Sequence, residues 1–199
     1  MTWAPFVSDL GDSTLLLPLC LFLTFLLWRY QCRRAALYLM CAMACCLSAI
    51  VALKIMLLAC GRTWGIPLES PSAHACMAMF VYGSLGIVST AQSAPRWGQA
   101  ATAFVVGSVV AAIGASRVVL QAHSICEVVL GLLIGCVGMA LFAIPYLRLH
   151  RRTRPRMAVL TLGSLAVIFV LHGISLPFEP IAERIAMQAR SALFACWSN

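Results

Sequence analysis

An all-α, polytopic membrane fold with six transmembrane helices is predicted by three features of this sequence: its apolar content, the division of that content into long runs, and the sorting of its charges by loop. Of 199 residues, 62% are hydrophobic and 10% are charged. That is too few polar groups to cover a soluble domain, and enough length for six spans of roughly 20 residues each. The chain reads as a single integral membrane domain over 1–199.

The first span is expected over 10–28, ending at Arg29, Arg33 and Arg34. Asp9 and Asp12 stand ahead of the first apolar run, with no cationic region before it and no small-residue cleavage site after it, so it reads as a retained helix, not a signal peptide. The second runs over 35–60, carries Lys54 in its last third and gives way to the polar segment GRTWGIPLESPS. A third span is expected over 73–91, a fourth over 97–115 after a turn at Pro95 and Arg96, and a fifth over 124–144. After the fifth comes YLRLHRRTRPR, and then a sixth span over 157–176. Ala103, Gly107, Ala111 and Ala115, and likewise Gly131 and Gly135, recur every four residues, a spacing that lets helices approach closely in lipid. Beyond Pro177, the stretch 178–197 aligns Ile181, Ile185, Ala189, Leu193 and Trp197, which suits an interfacial helix; a frayed tail is the alternative.

A net charge of +8 is compatible with nucleic acid, but the placement of the charges points to a bilayer. Arg29, Arg33, Arg34, Arg96, Arg148, Arg151, Arg152, Arg154 and Arg156 fall on one side. Lys54, Arg62, Arg117, Arg184 and Arg190 fall on the other with all six acids, leaving that side one negative charge in balance. By the positive-inside rule the first side is cytoplasmic, and both termini and the segments around Arg62 and Arg117 are outside. The ten cysteines form no CxxC pair and mostly lie in apolar runs, so they read as small buried hydrophobes; neither a metal site nor a disulfide framework is expected. Trp3, Trp28, Trp64, Trp97 and Trp197 stand near span ends, as an aromatic belt requires.

Two polar stretches interrupt this apolar background. GASRVVLQAHSICE, residues 114–127, holds Ser116, Arg117, His123 and Glu127. Ionisable groups at membrane depth cost several kcal/mol even when paired, so they mark a functional site. At i and i+4 on a helix, Glu127 could hold one ring N–H of His123 and leave the other nitrogen as nucleophile or base, while Arg117 offers a planar fork suited to phosphate. The second stretch, Pro71, Ser72, Ala73 and His74, stands where a helix should start; its N–H groups and dipole would stabilise anionic oxygen, and His74 could exchange a proton. Ser72 as a plain cap and His74 as a satisfied interfacial residue is the competing interpretation. Together with Lys54 and Arg62, these groups supply charge clamps, a nucleophile and an acid, which is what phosphoryl transfer needs.

In these motifs the sequence resembles the type 2 phosphatidic acid phosphatases, which share an active site with bacterial acid phosphatases and vanadium haloperoxidases. PSAH at 71–74 is similar to the family's second motif, usually PSGH; Ser116–Arg117, five residues, His123, three residues and Glu127 is similar to its third, which usually ends in aspartate. Lys54 and Arg62 resemble the first motif, with one extra residue between them and Thr63 in place of a proline. The resemblance implies that His123 attacks phosphorus to form a phosphohistidine, Glu127 orients it, and His74 protonates the leaving group. It further implies that Lys54, Arg62, Ser72, Ser116 and Arg117, with the backbone N–H of Ala73, bind the phosphate oxygens, and that no metal or other cofactor takes part.

The expectation is therefore a membrane lipid phosphatase with its site at the outer helix ends, acting on a lipid phosphomonoester or diphosphate such as undecaprenyl diphosphate, phosphatidylglycerol phosphate, phosphatidic acid or a lipid A phosphate. A lipid-to-lipid phosphotransferase using the same intermediate, and a non-catalytic lipid-binding or transport protein with a decayed site, are the rivals. Small size suggests a bacterial inner membrane, with a lipid phosphate substrate, the bilayer and no nucleic acid as partners; oligomeric state is open.

Overall fold

The computed structural model describes residues 3–30, 33–60, 68, 70–90, 95–149, 157–174 and 188. Among them are α1 (Trp3–Asp9), α2 (Ser13–Arg29), α3 (Arg33–Cys60), α4 (Ala73–Thr90), α5 (Arg96–Val119), α6 (Ile125–Arg148) and α7 (Met157–Leu171), and no strand. Five helical stretches are long and apolar enough to cross a membrane, with α1 and α2 together forming the first. The 15 residues of α7 extend about 22 Å at 1.5 Å per residue. The expected helix over 178–197 lies, apart from Gln188, outside the described residues.

Helix boundaries follow local chemistry. Asp12 caps α2, its carboxylate accepting the Thr14 N–H at 2.7 Å. The expected first span is thus preceded by a separate short helix, α1, and the turn Leu10–Gly11 between them. Pro18 and Pro145 stand inside α2 and α6, which helices in lipid tolerate when neighbouring groups satisfy the freed carbonyls. The fourth span continues past its expected end to Val119, carrying Ser116 and Arg117 on its last turns.

The most enclosed helix is α4, which packs against α6, α5, α2 and α3. Leu15, Leu19 and Leu23 of α2, Leu39 of α3, Met77 and Phe80 of α4, and Phe142 and Tyr146 of α6 form the centre of the bundle. The outward faces are also apolar: Phe25, Phe104 and Phe169 are 62%, 75% and 87% exposed. A soluble protein would not display such a surface on every side; a hydrocarbon surround accounts for it.

Of the two small-residue stripes, only one joins helices within the described residues. A Cβ added at Gly131 would sit 2.3 Å from the Ser72 carbonyl oxygen, and one at Gly135 would sit 2.4 Å from that of Cys76, so α6 lies directly on the first turns of α4. On α5, by contrast, Ala103, Gly107, Ala111 and Ala115 are exposed. Burying Ile113, Ser116 and Arg117 fixes the rotation of α5, and at 100° per residue that turns Ala111 and Ala115 to the opposite face.

Candidate active site

The helix order brings the start of α2, the end of α3, the start of α4, the end of α5 and the start of α6 to one end of the bundle. Arg29, Arg33, Arg96 and Arg148 stand at helix termini of the other end. The polar groups of the first end are assembled chiefly by helix-terminus chemistry.

The end of α5 places His123. Gln121 adopts a left-handed φ of 53°, its N–H bonds the Val118 carbonyl at 3.0 Å, and the Ala122 N–H bonds the Arg117 carbonyl at 3.0 Å. These two bonds form a Schellman closure, usually made with glycine at the left-handed position. The His123 N–H also reaches the Arg117 carbonyl at 3.3 Å, so the backbone of the arginine sets that of the histidine.

The start of α6 then fixes the His123 ring. Ser124 is the N-cap: its hydroxyl accepts the Glu127 N–H at 3.3 Å, while Glu127 Oε2 accepts the Ser124 N–H at 2.9 Å, a reciprocal capping box. The same Oε2 lies 3.3 Å from His123 Nδ1. His123 precedes the helix instead of belonging to it, yet the i, i+4 contact expected from the spacing is made. With Glu127 ionised, Nδ1–H donates to the carboxylate and the lone pair is on Nε2.

Glu127 also ties in the second motif. Its other oxygen, Oε1, accepts the Ser70 N–H at 3.0 Å across a sequence separation of 57 residues, and its carbonyl accepts the Ser72 N–H at 3.0 Å. Ser72, fully buried, caps α4 through a 3.4 Å bond from the Ala75 N–H to its hydroxyl. Ala73 is the first residue of α4 and His74 the second. The carboxylate expected to orient the nucleophile therefore also fastens the 70–72 turn to α6, with the Gly131 contact directly beneath it.

Two further groups come from the N-terminal segment. Arg117, 9% exposed, donates from Nη1 to the buried Ser8 hydroxyl of α1 at 3.0 Å. His74 Nε2 lies 3.8 Å from Asp12 Oδ2. Ser116 is buried with its hydroxyl donating to the Ile113 carbonyl of its own helix at 2.7 Å. Lys54 is half-buried near the end of α3. Arg62 lies outside the described residues. His172, read from sequence as a packing histidine, stacks edge-on to Phe6 at 4.3 Å between ring centroids and approaches Asp9 at 4.0 Å.

Direct contacts thus join His123, Glu127, Ser72 and Arg117, and place His74 beside a carboxylate. Ser8, Asp12, Ser70 and Ser124 are the participants that sequence reasoning does not single out. Ser124 had a signal, since Ser-x-x-Glu is a capping-box pattern. Asp12 had half of one, as an N-cap residue before an apolar run. Ser8 and Ser70 had none, because their partners are distant in sequence.

Residues 56–154 match the model of the PAP2 superfamily. That stretch contains Arg62, the Ser72–His74 turn and all of 116–127, and excludes Lys54, Ser8 and Asp12. No curated protein and no solved structure matches the chain.

Proposed function

Because the chain belongs to the PAP2 superfamily, whose membership supports phosphatase or phosphotransferase chemistry, we propose that it is a membrane lipid phosphatase acting through a phosphohistidine on His123. The observation that carries this reading is the 3.3 Å contact between His123 Nδ1 and Glu127 Oε2, in a carboxylate held by two backbone N–H groups. It provides a nucleophile in a set tautomer, with an anion beside it to stabilise imidazolium character in the transition state.

Nε2 of His123 attacks phosphorus as the bond to the leaving oxygen breaks, and His74 gives its proton to the departing alkoxide. Arg117, with Arg62 and Lys54, clamps the equatorial oxygens, and the N–H groups at the start of α4 add donors. Water, deprotonated by His74, then attacks the phosphohistidine; the N–P bond breaks, inorganic phosphate leaves and both histidines are restored. The substrate is a lipid phosphomonoester or diphosphate, because the site lies at the end of a bundle with apolar outer faces, and no metal is needed.

The test is inorganic phosphate release by the purified protein from a panel of lipid phosphates in the presence of chelator. Turnover abolished by His123→Ala is the expected result. No release from any member of the panel, with the protein folded, overturns the reading; transfer to a second lipid without phosphate release replaces it with a phosphotransferase.

For topology, the same reading takes the site end as periplasmic and the arginine end as cytoplasmic in a bacterial inner membrane, with α7 completing a sixth span. The charge asymmetry supports it. In a background lacking native cysteines, an impermeant thiol reagent applied to intact spheroplasts should label Leu68→Cys and not Thr153→Cys. The reverse pattern inverts the topology.

A further inference from the structure

We infer that Asp12 is a positioning residue for His74: it holds the Nε2 edge of the ring and so sets which nitrogen exchanges a proton with the substrate, an inference that rests on the phosphatase reading for its catalytic consequence. The placement of Asp12 is built by several contacts. The Tyr82 hydroxyl of α4 donates to the Leu10 carbonyl at 2.8 Å. Gly11 lies so close to its neighbours that an added Cβ would meet Ile113 of α5 at 2.5 Å and the Cβ of His74 at 3.4 Å. The turn before α2 is therefore wedged between α4 and α5, at the level of the second motif.

Within that turn the two carboxylate oxygens of Asp12 have separate partners. Oδ1 takes the Thr14 N–H at 2.7 Å, and Oδ2 faces His74 Nε2 at 3.8 Å. The cap and the dipole at the start of α2 hold the carboxylate in place. His74 is enclosed, its side chain 8% exposed against 23% for Asp12, so the attraction is little screened by water. A separation of 3.8 Å is within ion-pair range, and catalytic contacts of this kind shorten when substrate closes the site. The arrangement mirrors that of the nucleophile, with the opposite nitrogen held: Glu127 takes Nδ1 of His123, and Asp12 takes Nε2 of His74. Asp12 lies outside the stretch that the family model matches.

Asp12→Asn separates this role from the cap, because the amide oxygen still accepts the Thr14 N–H and asparagine is as good an N-cap as aspartate. In the full-length protein, Asp12→Asn should lower kcat/KM, which reports the steps through leaving-group departure, by about 10-fold or more on a lipid phosphate, a share of the roughly 10²–10⁴-fold that a general acid contributes, and far less on p-nitrophenyl phosphate, whose phenolate leaves without a proton. Combined with His74→Ala it should cost nothing further, since it acts through that ring. A second readout does not depend on turnover: the ring ¹⁵N resonances of His74 should move in Asp12→Asn while those of His123 stay. Equal losses on both substrates, or losses that add to those of His74→Ala, overturn the inference. If the wild-type protein hydrolyses neither substrate, the phosphatase reading has failed, and unmoved His74 resonances then overturn this inference on its own terms.

Discussion

The two histidines of the site are held in opposite ways. His123 takes its partner from four residues further along, inside one capping box at the start of α6. His74 faces a carboxylate from the start of another helix, brought to it by a turn seated on Tyr82 and Gly11. The first half of the site forms wherever one helical turn forms. The second exists only when α2, α4 and α5 are packed. Glu127 links the halves, since one oxygen serves His123 and the other the turn leading to Ser72.

The largest effect is expected from breaking that link. Glu127→Gln should lower kcat by as much as about 10⁴-fold, the loss that an Asp-to-Asn change causes in the serine protease triad, where a carboxylate likewise holds Nδ1–H of the catalytic histidine. It should also lower the melting temperature, because the N–H donors of Ser70 and Ser124 lose a charged acceptor, a bond worth about 1.5–3 kcal/mol. Kinetics and thermal unfolding on one preparation separate the two losses. A folded variant with unchanged kcat would show that the halves are independent and that the carboxylate does not orient the nucleophile.

Next comes Gly131→Ala, which leaves every polar group in place and alters only the spacing between halves. Its methyl would collide with the Ser72 carbonyl, a strain of about 1–3 kcal/mol, and a displacement of about 1 Å between reacting groups can cost about 10²-fold in rate. A fully active variant of unchanged stability would mean that the 70–72 turn is not seated on α6. A smaller effect, about 10-fold in KM, is expected from Ser8→Ala, which removes a hydrogen bond to a charged group worth at least about 1.5 kcal/mol; an unchanged KM would show that α1 is dispensable to the phosphate clamp. The smallest is Gly107→Ala, where nothing lies within 4 Å of the new methyl. Activity should hold and stability rise by at most about 1 kcal/mol; lost activity would mean that the far half of α5 also shapes the site.

What could be read from sequence follows the same division. Five of the six expected spans, the i, i+4 pair and the start of α4 at Ala73 are local properties, set by hydropathy, spacing and caps, and they were legible. The separate α1 was less so, because Leu10 and Gly11 break the helix only in company with the Asp12 cap. The Asp12–His74 and Ser8–Arg117 contacts depend on which helices neighbour one another, and a single sequence does not encode that in any short pattern. The stripe on α5 misled for a related reason: small residues at every fourth position permit close packing, but the burial of Arg117 decided which face turned inward.

The contact between Gly131 and Ser72 has a consequence for the birth of the protein. A nascent chain threads into the bilayer from its N-terminus, so α4 and α5 leave the ribosome before α6 does. Until Gly131 emerges, the first turn of α4 lacks the α6 surface on which it rests, and the Ser70 N–H has no carboxylate to receive it. A truncated or stalled product ending before α6 would thus carry Ser72 and His74 without the support on which their turn rests.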